Sequence, residues 1–174
     1  MTDRTLNLGA EADKATPDGF RTMMSGFPSG VSVVTTTGGD GAPRGMTCSS
    51  VCSVSLDPPT LLVCLRKGSP TLEAIIERGG FAVNLLHEGA REVAELFASG
   101  APDRFHRVAW EQAADAAGPH LVGDSHTVAD CDVVMSQPTG DHVTVFGEAR
   151  LITHRHGRPP LLYGLRQFHS WPRI

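Results

Sequence analysis

Three stretches place ligand-holding residue types at spacings with chemical meaning. The first is GMTCSSVCSVSLDPPTLLVCL, Gly45 to Leu65. From Met46 its even positions read Met46, Cys48, Ser50, Cys52, Val54, Leu56; its odd positions read Thr47, Ser49, Val51, Ser53, Ser55. Strand side chains alternate between faces, so this predicts one strand with a mostly apolar face and a small, hydroxyl-bearing face. With so few bulky groups, a flat molecule can approach the backbone. A solvent-facing sheet surface gives the same pattern, because Ser and Thr are common there. The second is Ser69-Pro70-Thr71, preceded by Arg66-Lys67-Gly68. Ser69 suits an N-cap and Pro70 the first helical position. The helix start would offer free N–H groups and partial positive charge to an anion, with Arg66 or Lys67 adding charge, or would be a plain cap. The third is His142, after Gly140-Asp141 and before Val143-Thr144-Val145. A ring held there can stack on a flat ligand or hydrogen-bond it, or stand in solvent as a turn residue.

Other chemistries find less support. Cys48 and Cys52 on one strand would lie ~13 Å apart at ~3.3 Å per residue, beyond disulfide reach, and their spacing is not a usual zinc spacing. Cys48, Cys52, Cys64 and Cys131 therefore read as small, mostly buried thiols in a reducing cytoplasm. His154 and His156 could share a strand face, but no carboxylate triad stands nearby, so no metal is expected. There is no Gly-x-Ser-x-Gly elbow for a serine hydrolase. No Gly-x-Gly-x-x-Gly joins a strand to a helix, which argues against a Rossmann domain. The net charge of −4 gives no bulk affinity for nucleic acid. No apolar run reaches the roughly 18 residues of a membrane span. Residues 1–16 lack the apolar core of an export signal and read as a flexible N-terminal arm, which points to a cytoplasmic protein.

The positioning elements follow from local signals. The 174 residues suit one domain, taken as 17–174. Thr16-Pro17 opens a helix, and Phe20, Met23, Met24 and Phe27 form an apolar stripe expected to pack in the core. GVSVVTTT (30–37) reads as a strand and GGDGAPRG (38–45) as a hairpin loop. Asp57-Pro58-Pro59 stops the Met46–Leu56 strand, and Thr60 to Leu65 forms a buried one. A helix reaches about Arg78, FAVNLL (81–86) is a strand interrupted by Asn84, and Glu88 to Ala98 is helical. Residues 100–120 are irregular. TVADCDVVMS (127–136), the turn QPTGD (137–141) and HVTVFGEARLI (142–152) form a long hairpin. The tail PPLLYGLRQFHSW packs aromatics. The chain is thus mainly β (α+β), with a few short helices and a closed or split barrel.

The Gly45–Leu65 stretch closely resembles the signature of the flavin reductase-like family, which includes the small reductase components of two-component flavin-dependent monooxygenases. Later landmarks match in order: SPT at 69–71, GFAVNLL at 80–86, RF at 104–105, GDH at 140–142 and LLYG at 161–164. The resemblance runs from about Phe20 to about Tyr163 and implies the flavin-binding split β-barrel, usually a homodimer. It places Thr47, Cys48, Ser49, Ser50, Val51 and Cys52 under the isoalloxazine ring, and Ser69, Pro70 and Thr71 at the phosphate or pyrophosphate. His142 would contact NADH and the flavin site. Tyr163 and Arg166 match the segment near the nicotinamide dinucleotide, although Leu165 and Gln167 stand where relatives often show further aromatic or basic residues. Arg104 could pair with a diphosphate, favouring FAD over FMN; no arginine cluster marks a 2′-phosphate pocket, favouring NADH. The implied activity is NAD(P)H-dependent reduction of free flavin, handed to a partner flavin-dependent monooxygenase. The alternatives are a non-catalytic flavin carrier and a split-barrel oxidase of the pyridoxamine-phosphate type; the GDH and LLYG landmarks favour the reductase.

Overall fold

The computed structural model describes residues 14–155 and 157–172. Most of the expected arm, and His156, lie outside them. Thr16 caps the first helix, α1 (Pro17–Ser25), its hydroxyl accepting the Gly19 N–H at 3.1 Å. Ser69 caps α2 (Pro70–Arg78) likewise, accepting the Leu72 N–H at 3.2 Å, and Gly79 ends that helix at φ +74°. The third helix, α3 (Arg91–Ser99), starts at Ala90 without a side-chain cap.

Seven strands make the main sheet: β2 (Ser32–Thr37), β3 (Pro43–Cys48), β4 (Val51–Leu56), β5 (Pro59–Arg66), β6 (Gly80–Leu86), β7 (Ser125–Thr139) and β8 (His142–His154). Their order is β3-β2-β6-β7-β8-β5-β4, antiparallel throughout. The two edge strands, β3 and β4, are consecutive in sequence, with only Ser49 and Ser50 between them. A sheet whose opposite edges are joined by two residues must curl until those edges nearly meet. The result is a barrel left split along β3 and β4. Cys48 reaches across the split, its thiol 3.7 Å from the Cys64 carbonyl. A second sheet, of order β1-β9-β10, joins β1 (Ser29–Gly30) to the tail hairpin β9 (Leu161–Gly164) and β10 (Gln167–Ser170).

The barrel interior holds Val34, Val63, Leu65, Phe81, Val83 and Val145, and α2 contributes Leu72 and Ile75. Gly147 makes room for Phe81: a Cβ there would sit 2.5 Å from the Phe81 ring. A second cluster lies on the other side of β2, where Val31 and Val33 meet Ala94 and Phe97 of α3, together with Phe105 and Leu161. Strand β2 is therefore covered on both faces, which accounts for its unbroken run of β-branched residues.

Three expectations need correction. The Met46–Leu56 stretch is two strands on opposite edges of the sheet, because barrel closure bends the chain at Ser49-Ser50. Of its apolar face, Cys48 is buried, whereas Val54 and Leu56 are 49% and 89% exposed. The α1 stripe is not core: no residue of α1 is buried, and Phe20 and Phe27 are 58% and 70% exposed, since the barrel interior is already filled by the residues above. Both hairpin loops are also shorter than expected, because β3 starts at Pro43 and only Gly140-Asp141 separates β7 from β8.

Candidate functional site

The bend between β3 and β4 leaves backbone groups open. Ser49 and Ser50 are exposed, and among the described residues their N–H groups meet no acceptor. The Ser50 carbonyl, by contrast, accepts the Cys64 N–H at 3.1 Å. Edge strands present unpaired donors as a rule; here the bend concentrates them beside side chains no larger than serine.

A cleft of about 1010 Å³ opens over this bend. Ser49, Ser50, Val51 and Cys52 line its floor with Leu62 of β5. One wall is α1, through Phe20 and Met24, with Phe27 just beyond its end; the other is the tail hairpin, through Tyr163 and Arg166. The hairpin turns at Leu165 and Arg166, with φ of +50° and +61°, a two-residue reversal made without glycine. Helix and hairpin are tied where the Leu165 N–H donates to the Ser25 carbonyl at 2.6 Å. Flat bed, free donors, apolar wall and cationic end suit a planar, anionic, heteroaromatic ligand.

The structure divides the other predicted residues among different places. The Thr47 hydroxyl points away from the cleft and donates to the Ala94 carbonyl at 2.6 Å. Cys48 is inside the barrel, and burial pushes its thiol up to about 11. Both can serve a ligand only through their backbone. Cys52 is exposed, contrary to the expectation of mostly buried thiols, and Cys64 is half-buried. All four cysteines are free, and no group of residues able to hold a metal ion occurs among the described residues.

His142 and Ser69 sit at one end of the barrel, not in the cleft lining. His142 pairs in register with Arg66, and its Nδ1 lies 2.9 Å from Asp141 Oδ1. That hydrogen bond, the largest cause, holds the Asp141 carboxyl below its usual range. The turn is pinned to the approach to α2: the Lys67 N–H donates to Asp141 O at 3.0 Å and Lys67 Nζ to Gly140 O at 2.6 Å. A ladder on the outer barrel face joins this end to the cleft. Leu62 opposes Phe146, Cys64 opposes Thr144, and Arg66 opposes His142. Their side chains face away from the core, because Val63, Leu65 and Val145 between them face into it. From Leu62 to Arg66 the row runs ~13 Å at ~3.3 Å per residue.

Thr71 is buried at 2% and Pro70 is exposed. Arg104 stands elsewhere, over the Phe97 ring at 5.9 Å, with Nη1 donating to the Ala101 carbonyl at 2.9 Å. Its Nε is buried without a partner among the described residues, and burial, then the Arg44 charge, lowers its pKa. The part played by α1 is not what its apolar stripe suggests in the sequence: the stripe faces the cleft and solvent, not the core.

Three comparisons bear on this arrangement. A family model described as "Flavin reductase like domain" matches residues 24–172. A flavin reductase (NADPH) of Lentzea aerocolonigenes is 45% identical over 168 residues, covering 96% of this chain and 97% of its own. A flavin reductase (NADH) of Kitasatospora aureofaciens is 42% identical over 175 residues, covering 99% and 92%. Among solved structures, BorF, the flavin reductase component of a bacterial two-component tryptophan halogenase, superposes with a TM-score of 0.80 at 30% identity, covering 91% of this chain and all of its own.

Proposed function

Because the chain belongs to the flavin reductase-like domain family, we propose that it is an NADH-dependent flavin reductase that reduces free FAD, or FMN, and releases it to a partner flavin-dependent monooxygenase. The observation that carries the reading is the bend at Ser49-Ser50, with two unclaimed N–H groups on the floor of a cleft walled by Tyr163 and Arg166. Flavin and nicotinamide supply the chemistry: a hydride leaves the dihydronicotinamide for the flavin, and solvent provides the accompanying proton. The chain holds the two rings against each other and excludes water. The bend donates to the electron-rich edge of the flavin ring. The row Leu62–Cys64–Arg66 leads from the ring to the capped start of α2, where Ser69, Pro70 and Thr71 meet the phosphate end. His142, fixed by Asp141, stands beside that path. Alignment of donor and acceptor rings is the main service a protein gives such a reaction.

The exposed stripe of α1, with Val54 and Leu56, supports a homodimer in which a second copy closes the cleft. No described helix is long and apolar enough to cross a membrane. The decisive measurement is NADH consumption with flavin in large excess over protein. Sustained turnover supports the reductase. One equivalent of flavin bleached per chain, without turnover, selects a carrier of the same fold.

A further inference from the structure

A second cavity, of about 410 Å³, adjoins the cleft and shares Tyr163 and Arg166 with it. It lies between the first turns of α3 and the tail hairpin, lined by Arg91, Glu95 and Phe168. Its chemistry differs from that of the cleft. Glu95 accepts from Arg91 Nε at 2.9 Å, and the Arg91 guanidinium also stands 5.5 Å over the Phe168 ring. Arg91 is therefore engaged twice, and its charge is offset by Glu95. The Tyr163 and Phe168 rings lie 5.0 Å apart and form an aromatic floor. Arg166 makes no ion pair among the described residues, so it is the cation left to meet an anion where the cavities join.

Resting on the reductase reading, we propose that this cavity receives the adenosine half of the nicotinamide dinucleotide, and that Glu95, oriented by Arg91, accepts the ribose hydroxyls and rejects a 2′-phosphate. The nicotinamide half would lie in the cleft with Arg166 on the bridging diphosphate, the purine against Phe168, and the ribose toward Glu95. An ionised carboxylate only accepts hydrogen bonds, so it suits a diol. A phosphate adds nearly two negative charges and acceptor oxygens alone, and beside Glu95 it meets like-charge repulsion. Two similar relatives differ on this choice of nucleotide, one named for NADPH and the other for NADH.

The test compares wild type, Glu95→Gln and Glu95→Ala with NADH and with NADPH at saturating flavin. Glu95 is half-exposed on the surface of α3, so both variants fold. Removing the charge raises the ratio of kcat/KM for NADPH to that for NADH about tenfold or more, with the KM for NADH rising as the ribose hydroxyls lose their acceptor, while flavin affinity stays within about threefold. Adenosine 2′,5′-bisphosphate, which lacks the nicotinamide, inhibits the variants more strongly than wild type by a similar factor. A ratio and an inhibition constant unchanged in both variants, with NADH turnover intact, overturn the assignment of this cavity. Absence of NADH turnover in wild type overturns the reductase reading beneath it.

Discussion

The bend at Ser49-Ser50 and the buried strand β6 treat polar groups in opposite ways. On β6, Asn84 is fully buried and spent: the two Nδ2 hydrogens are shared among Val33 O at 3.2 Å, Thr35 Oγ1 at 3.0 Å and Pro119 O at 3.2 Å, and Oδ1 accepts the Leu121 N–H at 2.8 Å. Nearby, Asp130 accepts the Ala117 N–H at 2.7 Å and faces His120 Nε2 at 2.9 Å. These bonds clamp the irregular segment around 116–121 against β2, closely enough that a Cβ on Gly118 would lie 2.5 Å from the Thr35 carbonyl. At the bend the N–H groups of Ser49 and Ser50 are unclaimed, on the surface of a large cleft. A polar group consumed by the protein holds the fold; one left open beside a cavity is available to a ligand.

The largest expected effect is at the consumed end. Asn84→Ala strips buried partners of their bonds, the Leu121 N–H above all, and should cost about 3 kcal/mol or more in denaturant unfolding. Flavin affinity of the protein that remains folded should barely change. A variant that keeps its stability but loses flavin would break the comparison. Next comes Ser50→Phe, which fills the bed at an exposed position. Flavin Kd, followed by fluorescence, should rise ~10- to 100-fold, about 1.4–2.7 kcal/mol, with stability within about 0.5 kcal/mol of wild type. Equal affinity would move the ring elsewhere.

These two sites also differ in how far the sequence disclosed them. Asn84 showed itself as one polar residue in an apolar strand, but its partners come from β2 and from a segment with no periodicity, so its purpose was not legible. Ser49 and Ser50 are legible in the sequence as part of the bed; the bend is not. Neither residue is a turn former of the Gly or Pro kind, and each fits a strand. The break is imposed by closure of the sheet, a tertiary demand that local pattern does not record. The cap at Ser69-Pro70 was legible because its cause lies within three residues. The α1 stripe was legible as a helix face, but periodicity says only that a face is apolar, not what covers it. The reversal at Leu165-Arg166 left no trace, because it adopts positive φ without glycine or asparagine.

His142 sharpens the comparison, since it sits outside the cleft lining yet on the same outer face. His142→Ala should leave flavin binding within about threefold while kcat/KM for NADH falls ~10- to 100-fold, about 1.4–2.7 kcal/mol. Asn in its place should restore part of the loss if a hydrogen bond matters, and Phe if stacking does. Wild-type kcat/KM in the alanine variant would reduce His142 to a turn residue and shift the nicotinamide site toward Tyr163 and Arg166. Ser69→Asp tests the start of α2 more gently. Aspartate still caps, but its charge opposes phosphate, so flavin affinity should fall about tenfold, on the order of 1.4 kcal/mol. Thr71 is left untouched, because a carboxylate at that buried position would test folding instead.

The smallest effect is read on the cysteines, which sample both regions within one chain. Cys48 and Cys131 are buried, and burial pushes their thiols up to about 11 and about 12. A raised thiol pKa means less thiolate at neutral pH, so both should resist alkylation until the fold opens or the pH climbs toward those values. Cys52 is exposed on the cleft floor, and Cys64 is half-buried. Iodoacetamide at pH 7.5, a condition chosen well below those buried thiols' pKa values, should therefore label Cys52 first, Cys64 more slowly, and the other two only in denaturant. Peptide mass analysis gives the order. Saturating flavin should then slow labelling at Cys52 about threefold or more, as ligand occupies the floor, and leave Cys48 and Cys131 as they were. Protection at Cys64 and not Cys52 would place the ring farther along the outer row toward Arg66 and His142. Equal rates with and without flavin would remove the bend from the site altogether, because a ring lying on Ser49 and Ser50 must shade the side chain two residues on.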